Sequence, residues 1–195
     1  MRYLRLENTL NYDGSQIEPQ WAFKAYKIKD SSIISWVGPM NIHQDNIVDF
    51  EDQGKEIKGN ELLHFIVEHF DVQPADIRLC YHRQRLLVLI AQNNLNNLDI
   101  ETIRRGDDLY VRKSDGVEGK LTVSIATASI TSMKIHFAIN ITSKGTPSDL
   151  DIMSLNECKK DLNKKDIVKL SDNISNGYID ELNNIEADIT KTKVL

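Results

Sequence analysis

The sequence predicts an α+β fold, in which helices back an antiparallel or mixed sheet. Two observations predict it. First, segments rich in β-branched residues and segments of helical periodicity occur in mixed order rather than as regular βαβ repeats. Second, the 195 residues are 41% hydrophobic and 27% charged, an ordinary globular composition without internal repeats. We expect residues 1–195 to form one domain, with a polar, mainly helical C-terminal segment over residues 148–195.

The first predicted element is a short helix near the N-terminus. Ser15 and Glu18 have the spacing of a capping box, and Pro19 is suited to a first helical turn. These two signals differ by about a turn over where the helix starts. Both predict that it passes through residues 21–26.

A strand and a second helix are predicted next. The β-branched and aromatic run from Ser31 to Val37 predicts a strand that ends at Gly38-Pro39. Asn60 is suited to cap a helix. The core face of that helix would carry the apolar residues Leu62, Leu63, Ile66, Val67 and Phe70.

The second half of the chain predicts one helix, three or more strands and a helical C-terminal segment. Residues 83–97 contain a long apolar run without Gly or Pro, which favours a helix. Residues 101–111 predict a hairpin that turns at Gly106-Asp107-Asp108. Two further strands, rich in Ile, Val and Thr, are expected at residues 121–128 and 133–141. After Pro147 the apolar spacing predicts helical packing that is interrupted near Gly177.

Charge and composition exclude several function classes. The formal net charge of −5 argues against a general binder of nucleic acid or anionic membranes. RNA binding is therefore the least favoured hypothesis, and it would rest on Arg78, Arg83, Arg85, Arg104 and Arg105. Two cysteines are too few for a disulfide framework or a Cys-rich zinc site. No apolar run approaches the ~20 residues of a membrane span, and the N-terminus lacks the apolar core of a signal peptide, so we expect a cytoplasmic protein.

Motif searches exclude common nucleotide-binding and hydrolase signatures. There is no Walker A loop, no G-x-G-x-x-G fingerprint and no G-x-S-x-G elbow. His64 and His69 are five residues apart, which on a helix separates the rings by about 140° and argues against a zinc pair. His64 and Glu68 would share a helix face, where an exposed ion pair is the simpler interpretation.

The most informative segment is 104–111, in which two carboxylates stand beside two arginines. At a hairpin tip, Asp107 and Asp108 could hold Mg²⁺ and a nucleotide while Arg105 contacts phosphate. A plain turn is the alternative, since Gly-Asp sequences favour turns and exposed charges need no ligand.

Lys120 opens a segment of small and β-branched residues. At a strand end, its ammonium could hold a carboxylate or acyl phosphate and stabilise the charge that develops in acyl transfer. A lysine that extends to solvent from a sheet edge is the alternative. Asp13 and Ser15 would form a turn and cap before a helix, whose N-terminus could also receive a phosphate or carboxylate.

Two segments resemble enzymes of acyl transfer. The sequence Gly106-Asp107-Asp108-Leu109, followed by Gly119-Lys120-Leu121-Thr122, resembles the Arg-Asn-Asp-Leu … Lys-Ile-Ser-Gly segment of lipoate–protein ligases. The sequence Phe137-Ala138-Ile139-Asn140-Ile141 resembles the Phe-Ala-Leu-Asn-Val strand of the related octanoyltransferases. Both families have a lysine some twenty residues before that asparagine, as Lys120 and Asn140 stand here.

A second resemblance covers nearly the whole chain. The segments that carry it are Tyr12-Asp13-Gly14-Ser15, Trp21-Ala22, Glu56-Ile57-Lys58-Gly59, His64-Phe65-Ile66-Val67-Glu68, Arg104-Arg105-Gly106-Asp107-Asp108 and Ser124-Ile125-Ala126-Thr127. They resemble an archaeal domain-of-unknown-function family (family 366) in the fold superfamily of biotin and lipoate ligases and class II aminoacyl-tRNA synthetases. This resemblance implies an antiparallel sheet backed by helices, with a ligand cleft on its open face. It implies no particular reaction.

The chain departs from the ligase and transferase patterns at four places. Val123 stands where ligases have a glycine that lets a ligand lie against the backbone. His136 is displaced by one residue from the octanoyltransferase histidine, which on a strand means the opposite face. No Gly-rich loop with Arg is evident, and Gly38-Pro39-Met40-Asn41 is the nearest segment. Cys158 lacks the Pro and Gly that flank the transferase nucleophile, so an inert cysteine is the simpler interpretation, although Lys159 and Lys160 could lower its pKa.

The leading functional hypothesis is a ligase-like or acyltransferase-like enzyme that binds a small carboxylate or acyl group, with ATP and Mg²⁺ as expected cofactors and a homodimer as an expected assembly. Lys120 would be catalytic. Nucleotide or acyl contacts would come from Arg105, Asp107, Asp108, Ser124, Thr127, Asn140, Asp13 and Ser15. The rival hypothesis is a non-catalytic metabolite-binding or subunit-interaction module of the same fold. An open pocket that reaches Lys120 favours the enzyme, and a pocket filled by Val123 and aromatic side chains favours the module.

Overall fold

Eight strands form two sheets within residues 1–193, the part of the chain that the computed structural model describes. The strands are β1 (Arg2–Arg5), β2 (Ser32–Asn41), β3 (Lys58–His69), β4 (Ile103–Arg105), β5 (Asp108–Arg112), β6 (Glu118–Lys120), β7 (Thr122–Ala128) and β8 (Met133–Asn140). Five form a central sheet in the order β1-β2-β3-β8-β7, which is antiparallel except for the parallel pair β1–β2. The others form a small antiparallel sheet in the order β4-β5-β6.

Four α-helices complete the fold of residues 1–193, which confirms the predicted α+β class. They are α1 (Trp21–Tyr26), α2 (Ile77–Asn96), α3 (Leu155–Cys158) and α4 (Lys164–Thr190). α2 begins where the Asp76 side chain accepts a hydrogen bond from the Leu79 amide. α4 begins at a capping box, in which Asn163 and Asp166 each accept from the other's amide. These caps satisfy amides that the first turn of a helix leaves without partners.

The central sheet is buried on both faces. One face packs against α2 and α4, and its core residues in β3 are Leu63, Phe65 and Val67. The alternate residues of β3, including Leu62 and Ile66, lie on the other face, which Tyr12 and Ala22 cover. The segment that precedes β2 therefore lies over the sheet face on which the family resemblance implies a ligand cleft.

The helix predicted after Asn60 is wrong, because residues 58–69 form strand β3. Residues Leu62 to Val67 are apolar with one exception, and every residue from 62 to 69 is buried. A strand buried on both faces has no alternation of polar and apolar residues, so its sequence is not distinguished from that of a buried helix. Residues 58–69 are a strand because they pair with β2 on one side and with β8 on the other.

β2 does not end at Gly38-Pro39 as predicted, but continues to Asn41. Its pairing with β3 shifts between Gly38 and Met40, and this irregularity accommodates Pro39, which has no N–H to donate. Gly38 is required here by a close approach, since a Cβ on it would overlap the carbonyl oxygen of Leu10.

The interruption predicted near Gly177 is also wrong, because α4 is continuous over 27 residues. Gly177 faces α2, where a Cβ would lie 3.3 Å from Cγ2 of Ile90. Packing between the two helices thus outweighs the low helix propensity of glycine, which is worth about 1 kcal/mol.

The other predicted elements are confirmed with changed bounds. They are α1, α2, the hairpin of β4 and β5, and strands β7 and β8. Residues Ser15–Ile17 form a single 3-10 turn rather than the start of a longer helix. Within residues 1–193 no helix has the length and hydrophobicity needed to cross a membrane.

Two Phe→Ala substitutions test where the core lies. Phe137 is fully buried in β8 with its ring 6.0 Å from that of Phe65, whereas Phe50 is 85% exposed. We expect Phe137→Ala to lower the free energy of unfolding by about 3–5 kcal/mol, because it removes a large buried side chain and leaves a cavity. Phe50→Ala should change that free energy by no more than about 0.5 kcal/mol. Urea denaturation measures both, and equal losses would contradict this assignment of the core.

Candidate functional site

Lys120, the residue nominated as catalytic, is held in an ion pair at the junction of the two sheets. It is the last residue of β6, and its Nζ lies 2.8 Å from Oδ2 of Asp108 in β5. About a third of the lysine side chain is exposed. Burial raises the pKa of Asp108, and the adjacent lysine only partly opposes that effect. The ammonium is therefore neutralised by the protein's own carboxylate.

The neighbouring polar residues are also satisfied by one another. Asp107 lies 3.0 Å from Nη1 of Arg85 and accepts a hydrogen bond of 2.8 Å from Nε2 of Gln84. Gln84 is fully buried in α2 and donates as well to Oγ of Ser124, at 2.8 Å. The structure thus brings together four nominated residues, Lys120, Asp107, Asp108 and Ser124. Gln84 was not found from the sequence, because a polar residue inside an apolar helical run carries no signal of its partners.

Mg²⁺ does not fit this cluster of carboxylates. Both carboxylate oxygens of Asp107 and Oδ2 of Asp108 already have partners, so the two aspartates do not form an open set of charged oxygens for Mg²⁺. Within residues 1–193 no group of three or more His, Cys, Asp or Glu side chains is arranged to hold a metal ion.

The remaining candidate residues lie away from the cluster around Lys120 or form hydrogen bonds to the backbone. Arg105 donates to Glu118 at 2.6 Å, on the outside of the small sheet. Asn140 is buried, and its amide donates to the carbonyls of Lys120 and Met153. Thr127 lies on the opposite face of β7 from Ser124, since successive strand residues alternate.

Asp13 and Ser15 form a local turn on the far face of the central sheet. The Asp13 carboxylate accepts hydrogen bonds from the Ser15 amide at 2.9 Å and from its hydroxyl at 2.6 Å. No long helix follows, because Ser15–Ile17 is a three-residue turn. The turn predicted for this pair is therefore present, but neither side chain caps a helix, because the N-cap position is Gly14 and no side chain bonds there.

Four stacked rings fill the sheet face to which the resemblance assigns a ligand. The ring of Tyr12 lies 3.6 Å from that of His136, and the ring of Trp36 lies 4.9 Å from that of His64. All four side chains are buried, and Trp36 also donates to the Leu10 carbonyl at 2.8 Å. Val123 packs against the same group. The sequence assigned Trp36 to the core or a pocket wall, but nothing in it indicated that Tyr12 would lie against His136.

The two buried histidines are neutral and joined by a hydrogen bond. Nε2 of His64 donates to the Gly38 carbonyl, at 3.1 Å, so its Nδ1 accepts from Nε2 of His136, also at 3.1 Å. Burial lowers the pKa of His64 to about 4 and that of His136 well below its ordinary value. In this arrangement Nδ1 of His136 is a buried acceptor without a partner among the described residues.

The exposed ion pair expected between His64 and Glu68 is wrong, because both side chains are buried in β3. They share a face, but of a strand rather than a helix, and each has other partners. The Glu68 carboxylate accepts from the Gln20 amide and from the Ser132 hydroxyl, both at 2.7 Å.

Cys158 has the environment of an inert thiol. It is half-buried at the end of α3, and burial together with Glu157 raises its pKa to about 11. The adjacent lysines do not lower that pKa, so the thiol stays protonated at neutral pH.

An open groove lies at the end of the sheet, between its helix-covered face and the first turns of α4. Its volume is about 690 Å³, within the range of small-molecule sites. Apolar side chains form one wall: Val37, Leu63, Ile141, Leu162, Ile167 and Val168. The rim is polar, with Arg5, Asn8, Thr9, Asn156 and Lys164.

A hydrogen-bonded network lies at one end of the groove. Arg5 donates through Nε to Asp172 at 3.1 Å, and Asp172 also accepts from the Tyr3 hydroxyl at 2.7 Å. Buried Ser171 donates to Ser35 at 2.7 Å. The guanidinium is therefore oriented while its two Nη groups have no partners among the described residues.

A smaller hollow of about 440 Å³ continues the groove past Thr9 and Asn156. Gly38 and Pro39, the nearest segment to a Gly-rich loop, line it together with Lys144. The groove residues come from five separate parts of the chain, so sequence spacing could not assemble them.

Comparison with known proteins agrees with this architecture. Residues 1–193 match the family model described as a domain of unknown function, DUF366. This chain belongs to the DUF366 family. Its relative MJ0805, an uncharacterized protein of Methanocaldococcus jannaschii, is 38% identical over 198 residues, which cover 98% of this chain and 84% of the relative.

Solved structures extend the comparison beyond DUF366. A protein of unknown function from Pyrococcus horikoshi superposes with a TM-score of 0.88 at 32% identity, covering 100% of this chain and 98% of that one. LipL1 of P. falciparum in complex with lipoate gives a TM-score of 0.57 at 13% identity, over 92% of this chain and 62% of that one. Biotin protein ligase of Aquifex aeolicus in complex with biotin and ATP gives 0.54 at 15%, over 89% and 71%. The DUF366 chain therefore has the lipoate and biotin ligase fold.

The buried histidines predict how the stability of this DUF366 protein depends on pH. The pKa of His64 is about 4 in the folded chain against 6.5 ordinarily. Between these values the unfolded chain binds more protons, so the free energy of unfolding falls as the pH is lowered through this window. We expect His64→Gln to give a shallower dependence of Tm on pH between 6.5 and 4 than the parent chain. His43→Gln, at an exposed position, should keep the parent slope. Parallel curves for all three proteins would contradict the buried, neutral state of His64.

Proposed function

We propose that this protein is a metabolite-binding module that keeps the lipoate and biotin ligase fold without the ligase reaction. Its ligand is a small molecule with an apolar body and a polar head, and it binds in the groove beside α4. The observation that carries the proposal is the filled sheet face, where Tyr12, Trp36, His64 and His136 occupy the space over β3 and β8. A ligand could enter there only if this buried group separated.

The free energy needed to open that sheet face favours the binding module over a ligase that binds its substrate there. Large buried aromatic side chains each stabilise a fold by several kcal/mol, about 3–5 when replaced by alanine. Trp36 and His64 are also hydrogen-bonded to the backbone of residues that lie over or within the same face, Leu10 and Gly38. A small ligand would have to compensate for all of these contacts.

The groove beside α4 is open and chemically suited to an amphipathic ligand. Val37, Leu63 and Ile167 offer apolar surface for a body, and Arg5 and Lys164 offer donors for a polar or carboxylate head. The guanidinium of Arg5 is held in place by Asp172, which reduces the conformational entropy that a ligand contact would cost.

Filling the groove tests this proposal. Val168 is half-buried on the groove side of α4, and the next residue, Lys169, is exposed. We expect octanoate, lipoate or biotin to raise the Tm of the parent chain, and Val168→Trp to weaken that binding about tenfold or more by occupying the groove. Lys169→Trp, the matched control, should bind as the parent does. Isothermal titration calorimetry measures the affinities.

Two results would contradict the groove as the binding site. One is binding that both tryptophan variants retain in full. The other is a Tm that none of the three probes raises, since a module of this kind must bind some ligand of an amphipathic class.

A second candidate function is a ligase-like or acyltransferase-like enzyme, favoured by the convergence of Lys120, Asp107, Asp108 and Ser124. In that case Lys120 exchanges Asp108 for a substrate carboxylate or acyl phosphate, and stabilises the oxygen charge that develops in acyl transfer. The partial exposure of Lys120 permits this exchange. No step through Mg²⁺ follows from the two aspartates, because both are already paired.

Lys120→Ala separates the two candidate functions. An enzyme that uses Lys120 should bind ATP together with lipoate, octanoate or biotin, and the variant should lose that binding because the ammonium is gone. Lys113→Ala removes a nearby lysine of the ion pair with Asp151 and serves as the control. Calorimetry at low salt measures each titration. Binding that Lys120→Ala leaves unchanged would exclude the enzymatic role of this residue.

A further inference from the structure

The smaller hollow beside the groove carries an acid and a base that have no ion-pair partners. Glu61 lines both cavities, and Lys144 lines the hollow. Both side chains are exposed. Within residues 1–193 the Glu61 carboxylate and the Lys144 ammonium pair neither with each other nor with another charged side chain. One concave surface therefore offers both signs of charge.

Backbone hydrogen bonds fix the positions from which these two side chains extend. The carbonyl of Glu61, in β3, accepts from the amides of Ile141 at 3.0 Å and Thr142 at 3.3 Å. The carbonyl of Lys144, in the turn after β8, accepts from the Asn60 amide at 3.0 Å. The Lys144 amide donates in turn to Oγ1 of Thr142 at 3.3 Å. Both charged residues thus stand on anchored segments of the same wall.

This charge pattern is complementary to a ligand that itself carries both charges. A carboxylate such as that of Glu61 pairs with an ammonium group, and an ammonium such as that of Lys144 pairs with a carboxylate. Thr9, Asn60 and Asn156 line the same hollow and add neutral hydrogen-bonding groups. The α-carbon of an amino acid carries an ammonium and a carboxylate side by side, which is the combination that the hollow offers to pair.

The groove provides space for a long side chain beyond that head group. Val37 lines both cavities, and the apolar wall continues past Ile167 toward Arg5. Arg5 is in register with Ser35 of β2, whereas the hollow lies at Gly38, so the two ends are about 10–13 Å apart along the strand. The unpaired Nη groups of Arg5 meet whatever group ends the chain.

We propose that the groove and the smaller hollow together bind an α-amino acid whose long apolar side chain ends in a hydrogen-bond acceptor. Its α-ammonium pairs with Glu61 and its α-carboxylate with Lys144, while the terminal acceptor receives the Nη donors of Arg5. This inference rests on the proposed function, which places the apolar body in the same groove. It adds the chemical identity of the second polar end.

A matched pair of ligands tests the amino-acid head group. Calorimetry on the 195-residue chain at low salt compares L-2-aminosuberate with suberate, which lacks only the amino group. We expect aminosuberate to bind about tenfold more tightly, because its ammonium adds a charge-assisted hydrogen bond to Glu61. Glu61→Gln should abolish that preference without weakening suberate. Glu7→Gln, at a carboxylate that lines the groove but not the hollow, should keep the preference.

A second variant tests the carboxylate end. Lys144→Met should weaken both ligands several-fold, because each places a carboxylate in the hollow, and should keep the preference for aminosuberate. Glu61 and Lys144 are exposed and unpaired, so we expect each variant to have the Tm of the parent chain.

Three results would overturn the amino-acid assignment and leave the groove as a binding site. They are equal affinities for the two ligands, a preference that Glu61→Gln retains, and binding of octanoate without binding of either diacid. Failure of octanoate, lipoate, biotin and both diacids to bind would instead remove the proposed function, and this inference with it.

Discussion

The stacking of Tyr12 on His136, with Trp36 and His64 beside them, is the interaction on which the rest of this structure depends. It attaches the N-terminal segment to the central sheet and covers the face of that sheet opposite to α2 and α4. The hydrogen bonds from His64 to Gly38 and from Trp36 to Leu10 extend this attachment to the backbone. The chain therefore has the fold of lipoate and biotin ligases, and its own side chains fill this face of the sheet.

Charge pairing imposes the second constraint. Lys120 and Asp108 neutralise each other at the junction of the two sheets, and Arg85 does the same for Asp107. Breaking a partly buried pair leaves its partner uncompensated, which costs more than the pair contributes in net stability. A substrate would have to replace Asp108 rather than meet a free ammonium.

Sequence patterns predicted the elements that carry local signals. The hairpin at Gly106-Asp107 has turn residues, and α2 has a long run without breakers, so both are confirmed. Strand β3 carries no such signal, because burial on both faces removes the alternation by which a strand is recognised. That one error placed His64 and Glu68 on a solvated helix, although both are core residues. The groove could not be predicted from the sequence either. Arg5, Thr9 and Val168 become neighbours only when α4 packs beside the ends of β1 and β2.

The sequence by itself determined the α+β class, the family resemblance and the grouping of Lys120 with Asp107 and Asp108, because turn residues, strand composition and motif order are local properties of the chain. Only the tertiary structure decided that Tyr12 covers one face of the central sheet and that Lys120 is paired with Asp108. These outcomes depend on which side chains meet across strands far apart in sequence. Burial then sets their charge state, since a group removed from water keeps its charge only where a partner lies within reach.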